Sequence, residues 1–166
     1  ETQQHELAVA SRAQARLLPQ TLPGGSLSLA GLCRPARGVG GDYYDVLTLA
    51  DGQRALVVGD VSGKGLYAGL LMAGLQGRLQ TLARQHGQRL DALMADLNRQ
   101  IVESTEGDKY ATLFYAVYDE PQRRLIYVNA GHCPPLVVRA QGSVERLAPT
   151  GTVVGLMTDA RYEAAR

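Results

Sequence analysis

Two aspartates in this chain each follow a glycine at the end of a predicted strand, Asp42 in Gly40-Gly41-Asp42 and Asp60 in Gly59-Asp60. A hairpin turn at Ala50-Asp51-Gly52, with Gly52 left-handed, sets Leu49 opposite Gln53. Counting outward from that pair places Asp42 directly across from Asp60 on one face, with Cβ atoms about 5 Å apart. A two-residue loop at Asp51-Gly52 would instead turn the carboxylates to opposite faces. Placed together, the two carboxylates repel, and one has its pKa raised unless a cation lies between them. Oxygen-only ligands select a hard ion such as magnesium or manganese. The plainer alternative makes Asp42 a turn residue and Asp60 a helix cap.

The segment Gly59-Asp60-Val61-Ser62-Gly63-Lys64-Gly65 excludes two other chemistries. A P-loop requires four residues between its first glycine and Gly-Lys, followed by Ser or Thr; here three intervene and Gly65 follows Lys64. A nucleophile elbow requires glycine two residues before Ser62, where Asp60 stands. His132 and Cys133 are adjacent, a poor arrangement for one tetrahedral zinc, and no second ligand pair exists. His132 is read as a hydrogen-bonded residue fixing a strand-end turn, with a ligand or acid-base role as the alternative. Lys64 is either a phosphate-facing cation or a solvated loop lysine.

These residues need a scaffold. Leu7, Ala10, Gln14 and Leu17 recur at helical spacing until Pro19 and Pro23 intervene, so residues 1–23 form a linker helix. That helix lies on its own domain or ends a coiled coil from an upstream sensor or twin subunit, with Gln14 at a seam position. Residues 24–166 form the main domain. Period-two patterning predicts a strand from Ser26 towards Arg37, then strands Tyr43 to Leu49 and Arg54 to Val58. Leu56-Val57-Val58 is apolar on consecutive positions, which calls for cover on both faces. Helices are expected from Leu66 to about Gln85 and along the stripe Leu90, Leu93, Met94, Leu97, Ile101. Strands return at Tyr110 to Tyr118, Leu125 to Asn129, Leu136 to Arg139 and Val144 to Leu147. Strands, then helices, then strands is an α+β order.

Composition narrows the partners. Lys+Arg at 17 against Asp+Glu at 16 leaves a formal charge of +1, which provides no field to draw the chain to nucleic acid or an anionic membrane. No apolar run approaches the roughly 20 residues needed to span a bilayer. Two cysteines, Cys33 and Cys133, are too few for a disulfide framework and point to a reducing, cytoplasmic setting.

Four segments taken in order resemble the signatures of the SpoIIE-like (type 2C-like) bacterial serine/threonine protein phosphatases: Val39-Gly40-Gly41-Asp42-Tyr43-Tyr44-Asp45, Gly59 to Gly65, Ala111-Thr112-Leu113-Phe114-Tyr115, and Asn129-Ala130-Gly131-His132-Cys133-Pro134-Pro135. The resemblance covers about Leu17 to Tyr162. It implies an αββα sandwich of two antiparallel sheets flanked by helices, with two Mn2+ or Mg2+ ions at one end. It also implies that Asp60 bridges both ions, that Asp42 is a further acidic ligand, and that the Val61 backbone carbonyl coordinates; Asp42 and Asp60 are then the catalytic acids. Asp45, Ser62, Lys64 and His132 are accessory candidates. Ions so held would activate water for in-line attack without a phosphoenzyme. The implied substrate is a serine- or threonine-phosphorylated regulator of the anti-sigma-factor-antagonist type, with a sensor domain upstream.

The sequence also departs from the pattern. Ser62 replaces the histidine of the eukaryotic type 2C Asp-Gly-His-Gly motif, and no counterpart of the phosphate-binding arginine is evident, so the general acid is unassigned. Family members continue into strands bearing a further metal-ligand aspartate, a role that Asp159 does not fit. The C-terminal strands are therefore expected to be missing from this stretch, leaving weak metal binding, little hydrolysis, and a sheet edge open to homodimer pairing. Two alternatives remain at this level: a non-catalytic regulatory module with a phosphatase fold, and a ligand-sensing domain that leaves Asp42 and Asp60 without purpose.

Overall fold

The structure, a computed structural model, describes residues 2–36 and 38–166. Its centre is an antiparallel sheet in the order β1-β2-β3-β4, built from Asp42–Thr48, Arg54–Val61, Ala111–Asp119 and Arg124–Ala130. The turn between the first two strands sets their register. The Leu49 amide donates to the Gln53 carbonyl at 2.9 Å and the Gly52 amide to the Leu49 carbonyl at 3.0 Å. Gly52 has a φ of 83°, which glycine adopts at little cost. From that closure Asp42 pairs with Asp60 across the ladder, as the three-residue loop requires.

Helices α2 (Gly65–His86) and α3 (Leu90–Ser104) cover one face of the sheet. α2 is rich in Leu and Ala, and ends where Gly87, with a φ of 56°, donates to the Ala83 carbonyl. Met72, Leu75 and Leu79 of α2 and Leu93, Met94 and Leu97 of α3 are fully buried with Val57, Leu113, Tyr115 and Val128 of the sheet. Each such side chain contributes about 1.5–3 kcal/mol by leaving water, so this layer holds the sheet's shape. No described helix is long and apolar enough to cross a membrane.

The opposite face is covered unevenly. A two-stranded ribbon, β5 (Leu136–Val138) and β6 (Val144–Arg146), forms the second antiparallel sheet. Leu147, just after it, packs with Phe114, Ala116 and Tyr127. At the β2 end this face stays open: Val57 is buried but Val58 is 45% exposed, so the expected two-sided cover of Leu56-Val57-Val58 is incomplete.

The strand expected from Ser26 towards Arg37 does not form; the described part of 26–36 is turn and irregular chain, and Arg37 lies outside the described residues. Alternation of Leu27 and Leu29 suits a pleat, but a strand exists only when a neighbour accepts its hydrogen bonds. Among the described residues, the one backbone bond of this stretch is the local turn from the Leu27 amide to the Gly24 carbonyl.

The last residues run along the far edge of the sheet as isolated bridges. Tyr127 of β4 exchanges both backbone bonds with Ala165, and Ala130 bridges Gly151. This part of the β4 edge is thus occupied by the chain itself, which narrows the open edge anticipated from the sequence.

Helix α1 (Thr2–Leu17) packs on α2. Its Gln14 is buried against its own domain, while Leu7 and Leu17 are 44% and 42% exposed. Of the two arrangements left open for this helix, Gln14 takes the intramolecular one.

Candidate metal and phosphate site

Asp42 and Asp60 occupy opposed positions on the face turned away from the helices. The Val61 amide donates to the Gly41 carbonyl at 3.1 Å, so the adjoining 42/60 pair is of the narrow, non-hydrogen-bonded kind, with Cα atoms about 4.5 Å apart. Glycine permits this approach: a Cβ on Gly41 would lie 2.4 Å from the Val61 carbonyl oxygen. The pairing continues into β3, where Thr112 stands opposite Asp60.

His132 joins the row from the turn after β4. Its Nδ1 lies 2.8 Å from Thr112 Oγ1. Fully buried Asn129 shapes that turn, accepting from the His132 amide at 2.8 Å and donating to the His132 and Leu147 carbonyls at 3.1 and 3.0 Å. His132 is hydrogen-bonded as expected, its ring held by Thr112 while it lines the cleft, and Asn129 fixes the turn through the His132 backbone. Sequence reasoning also passed over Thr112, although it lies in a quoted motif; its signal was the register that puts it beside Asp60.

The two aspartates and His132 line one cleft of about 550 Å3, together with Cys33, Arg34 and Tyr44. Burial in the cleft raises the Asp60 pKa, the Asp42 charge raises it further, and His132 pulls it down. Burial lowers the His132 pKa, partly offset by Asp60 and Asp42. Burial and the Asp42 charge both raise the Cys33 thiol. Among the described residues, none of the salt bridges involves Asp42 or Asp60. Two carboxylates sharing one cleft, one of them resisting ionisation beside the other, form an oxygen donor set that suits a hard divalent ion. No group of three or more His, Cys, Asp or Glu converges among the described residues, so ion binding here would draw on backbone carbonyls and water as well.

The other candidates fall elsewhere. Asp45 points to the helix face, where it accepts from Tyr43 Oη at 2.7 Å, the Val46 amide at 2.9 Å and Gln80 Nε2 at 3.1 Å. Ser62 closes the end of β2 on β3: its amide donates to the Tyr110 carbonyl and its Oγ accepts from the Tyr110 amide. Lys64 is exposed at the N-cap of α2, between Gly63 and Gly65, both at positive φ. The Val61 side chain is buried on the helix side, leaving only its backbone for the role expected of it.

Comparison with known proteins gives consistent results. The chain is 29% identical to protein IcfG of Synechocystis over 187 residues, covering 95% of this chain and 29% of that protein. It is 26% identical to phosphoserine phosphatase RsbU of Bacillus subtilis, covering 95% of this chain and 47% of that protein. It therefore spans less than half the length of either relative. Among solved structures, the SiaA-PP2C domain of Pseudomonas aeruginosa superposes with a TM-score of 0.77 at 21% identity, covering 99% of this chain and 67% of that one. That likeness establishes the fold. A sequence model of stage II sporulation protein E (SpoIIE) matches residues 50–166, a span that holds Asp60, Thr112 and His132, and the chain belongs to the SpoIIE family.

Proposed function

We propose that this chain is the catalytic domain of a metal-dependent protein serine/threonine phosphatase, acting on a phosphorylated bacterial regulator of the anti-sigma-factor-antagonist type. The observation that carries the reading is the pairing of Asp42 with Asp60 on one face of a SpoIIE-family sheet, at a cleft shared with His132. The name of RsbU as a phosphoserine phosphatase supports it.

Asp42, Asp60 and the Val61 carbonyl would hold two Mn2+ or Mg2+ ions. The chemistry such ions supply when bound is activation of water near neutral pH and neutralisation of phosphoryl charge. The protein contributes placement. The narrow pair sets the two aspartates side by side on the backbone before any ligand arrives, the bond between Gly41 and Val61 holds the two strands in register, and Thr112 holds the His132 ring at the cleft. With Ser62 committed to Tyr110, the His132 ring, held by Thr112 through Nδ1, would face a phosphate ester or its leaving oxygen in the cleft. An upstream sensor and pairing with a second copy fit the same reading as partners of the intact protein.

A non-catalytic regulatory module is favoured by one observation: among the described residues no three or more His, Cys, Asp or Glu side chains converge as an ion site. The same assay separates the two readings. Release of phosphate from a phosphoserine peptide by the intact protein is measured with manganese, with excess chelator, and with Asp60→Asn. Expected is a loss on the order of 100-fold or more in the variant and under chelation. Undiminished turnover in chelator sinks the metal mechanism, and no turnover by the parent under any condition leaves the binding module.

A further inference from the structure

Helix α1 grips the loop before Asp42 through Gln14. Gln14 Nε2 donates to the Gly40 carbonyl at 2.8 Å, and Gln14 Oε1 accepts from the Gly40 amide at 3.0 Å. An amide side chain that bonds both polar groups of one residue stands in for a neighbouring strand. Gly40 lies two residues before Asp42, and Gly41 between them accepts from Val61. The approach to Asp42 is thus pinned twice, by α1 at Gly40 and by β2 at Gly41.

The helix carrying Gln14 is itself held. Gln76 of α2 donates to the Leu17 carbonyl at 2.5 Å. At Gly69 of α2, a Cβ would lie 2.3 Å from Val39 Cγ1 and 2.9 Å from Gln14 Nε2. Only glycine there leaves room for both Gln14 and the loop it grips.

We propose that Gln14 is a positioning residue for Asp42, so that α1, which reads as a linker, sets the placement of one ion-binding carboxylate. The inference rests on the reading of Asp42 and Asp60 as the ion-binding pair. Gly40 and Gly41 have no side chains to limit their backbone angles, and without the glutamine the loop regains that freedom. A carboxylate that must be ordered as the ion binds gives up affinity to that ordering. Alanine at position 14 loses both bonds. Glutamate keeps the acceptor but sets an anion against the Gly40 carbonyl.

The test is manganese titration by calorimetry on the intact protein, with amide hydrogen exchange at Gly40 and Gly41 measured without metal. Gln14→Ala is expected to bind manganese roughly tenfold more weakly and to exchange faster at Gly40, with Gln14→Glu in between. Asn98→Ala is the control. Asn98 makes the same kind of paired contact, accepting from the Gly155 amide and donating to the Met157 carbonyl, both at 2.8 Å. That variant is expected to lower the melting temperature while binding manganese like the parent. Parent-like manganese binding in Gln14→Ala, or in Gln14→Glu should the alanine variant not fold, overturns the proposal, and so does an equal loss in Asn98→Ala. A parent that takes up no manganese overturns the ion-binding reading of the aspartates, a result distinct from these.

Discussion

Asp42 and Asp60 each sit one residue from the same hydrogen bond, the 3.1 Å contact from the Val61 amide to the Gly41 carbonyl. The distance between the acids is therefore governed by how closely the backbones at 41 and 61 can approach. A methyl group at Gly41 would meet the Val61 carbonyl oxygen, which is backbone and cannot turn aside. Gly41→Ala is expected to cost about 1–3 kcal/mol in denaturant unfolding and to weaken manganese binding with it. Unchanged binding would show that the spacing of the acids is set elsewhere.

Asp45 separates position in the motif from position at the site. Its carboxylate is consumed by Tyr43, Val46 and Gln80 on the helix side. Asp45→Asn replaces one acceptor oxygen with a donor and is expected to cost about 1–3 kcal/mol. Manganese titration of that variant should match the parent. A loss of ion binding with stability intact would return Asp45 to the ligand set.

Tyr115 offers a stabilising change. The residue is fully buried in the sheet's helix face, and among the described residues its hydroxyl has no hydrogen-bond partner; burial also pushes its pKa up. Tyr115→Phe removes an unsatisfied polar atom without changing the ring, and is expected to add about 1 kcal/mol of stability. A lower melting temperature would mean the hydroxyl is satisfied in solution.

The His132 shift gives a pH dependence with a definite sign. Its folded-state pKa is lowered, chiefly by burial and against the pull of Asp60 and Asp42, whereas the unfolded ring titrates near about 6.5. Below that value the unfolded chain binds more protons, so this contribution is complete above about pH 6.5 and is lost as pH falls toward the folded pKa. In metal-free buffer, the difference in melting temperature between parent and His132→Gln should shift against the parent between about pH 7.5 and about pH 5. A difference independent of pH would mean the ring is not withdrawn from water.

The central pairing was legible because a β-ladder has only two parities and the turn residues choose between them. Gly52 in a three-residue loop settles the choice, and Asp42 must then meet Asp60. The helix pair was legible for the same reason in another period, with Leu90, Leu93, Met94, Leu97 and Ile101 on one stripe. Ser26 to Arg37 misled because alternation records which side chains share a face and carries nothing about a neighbouring strand. The polar clamps at Gln14, Asn98 and Asn129 were equally opaque. Each depends on a carbonyl or amide far along the chain, and an isolated Gln or Asn in a sequence carries no mark of its partner.

The turn at Ala50-Asp51-Gly52 lies at the opposite end of the hairpin from Asp42 and Asp60, yet it acts as their gauge. Substitutions there that keep the left-handed corner would be silent for chemistry. Loss of one residue would rotate the first strand by half a turn and hide one acid among the helices. Natural variation in this hairpin should accordingly be free in identity and strict in length, and any tolerated indel should come with a compensating bulge before Asp42.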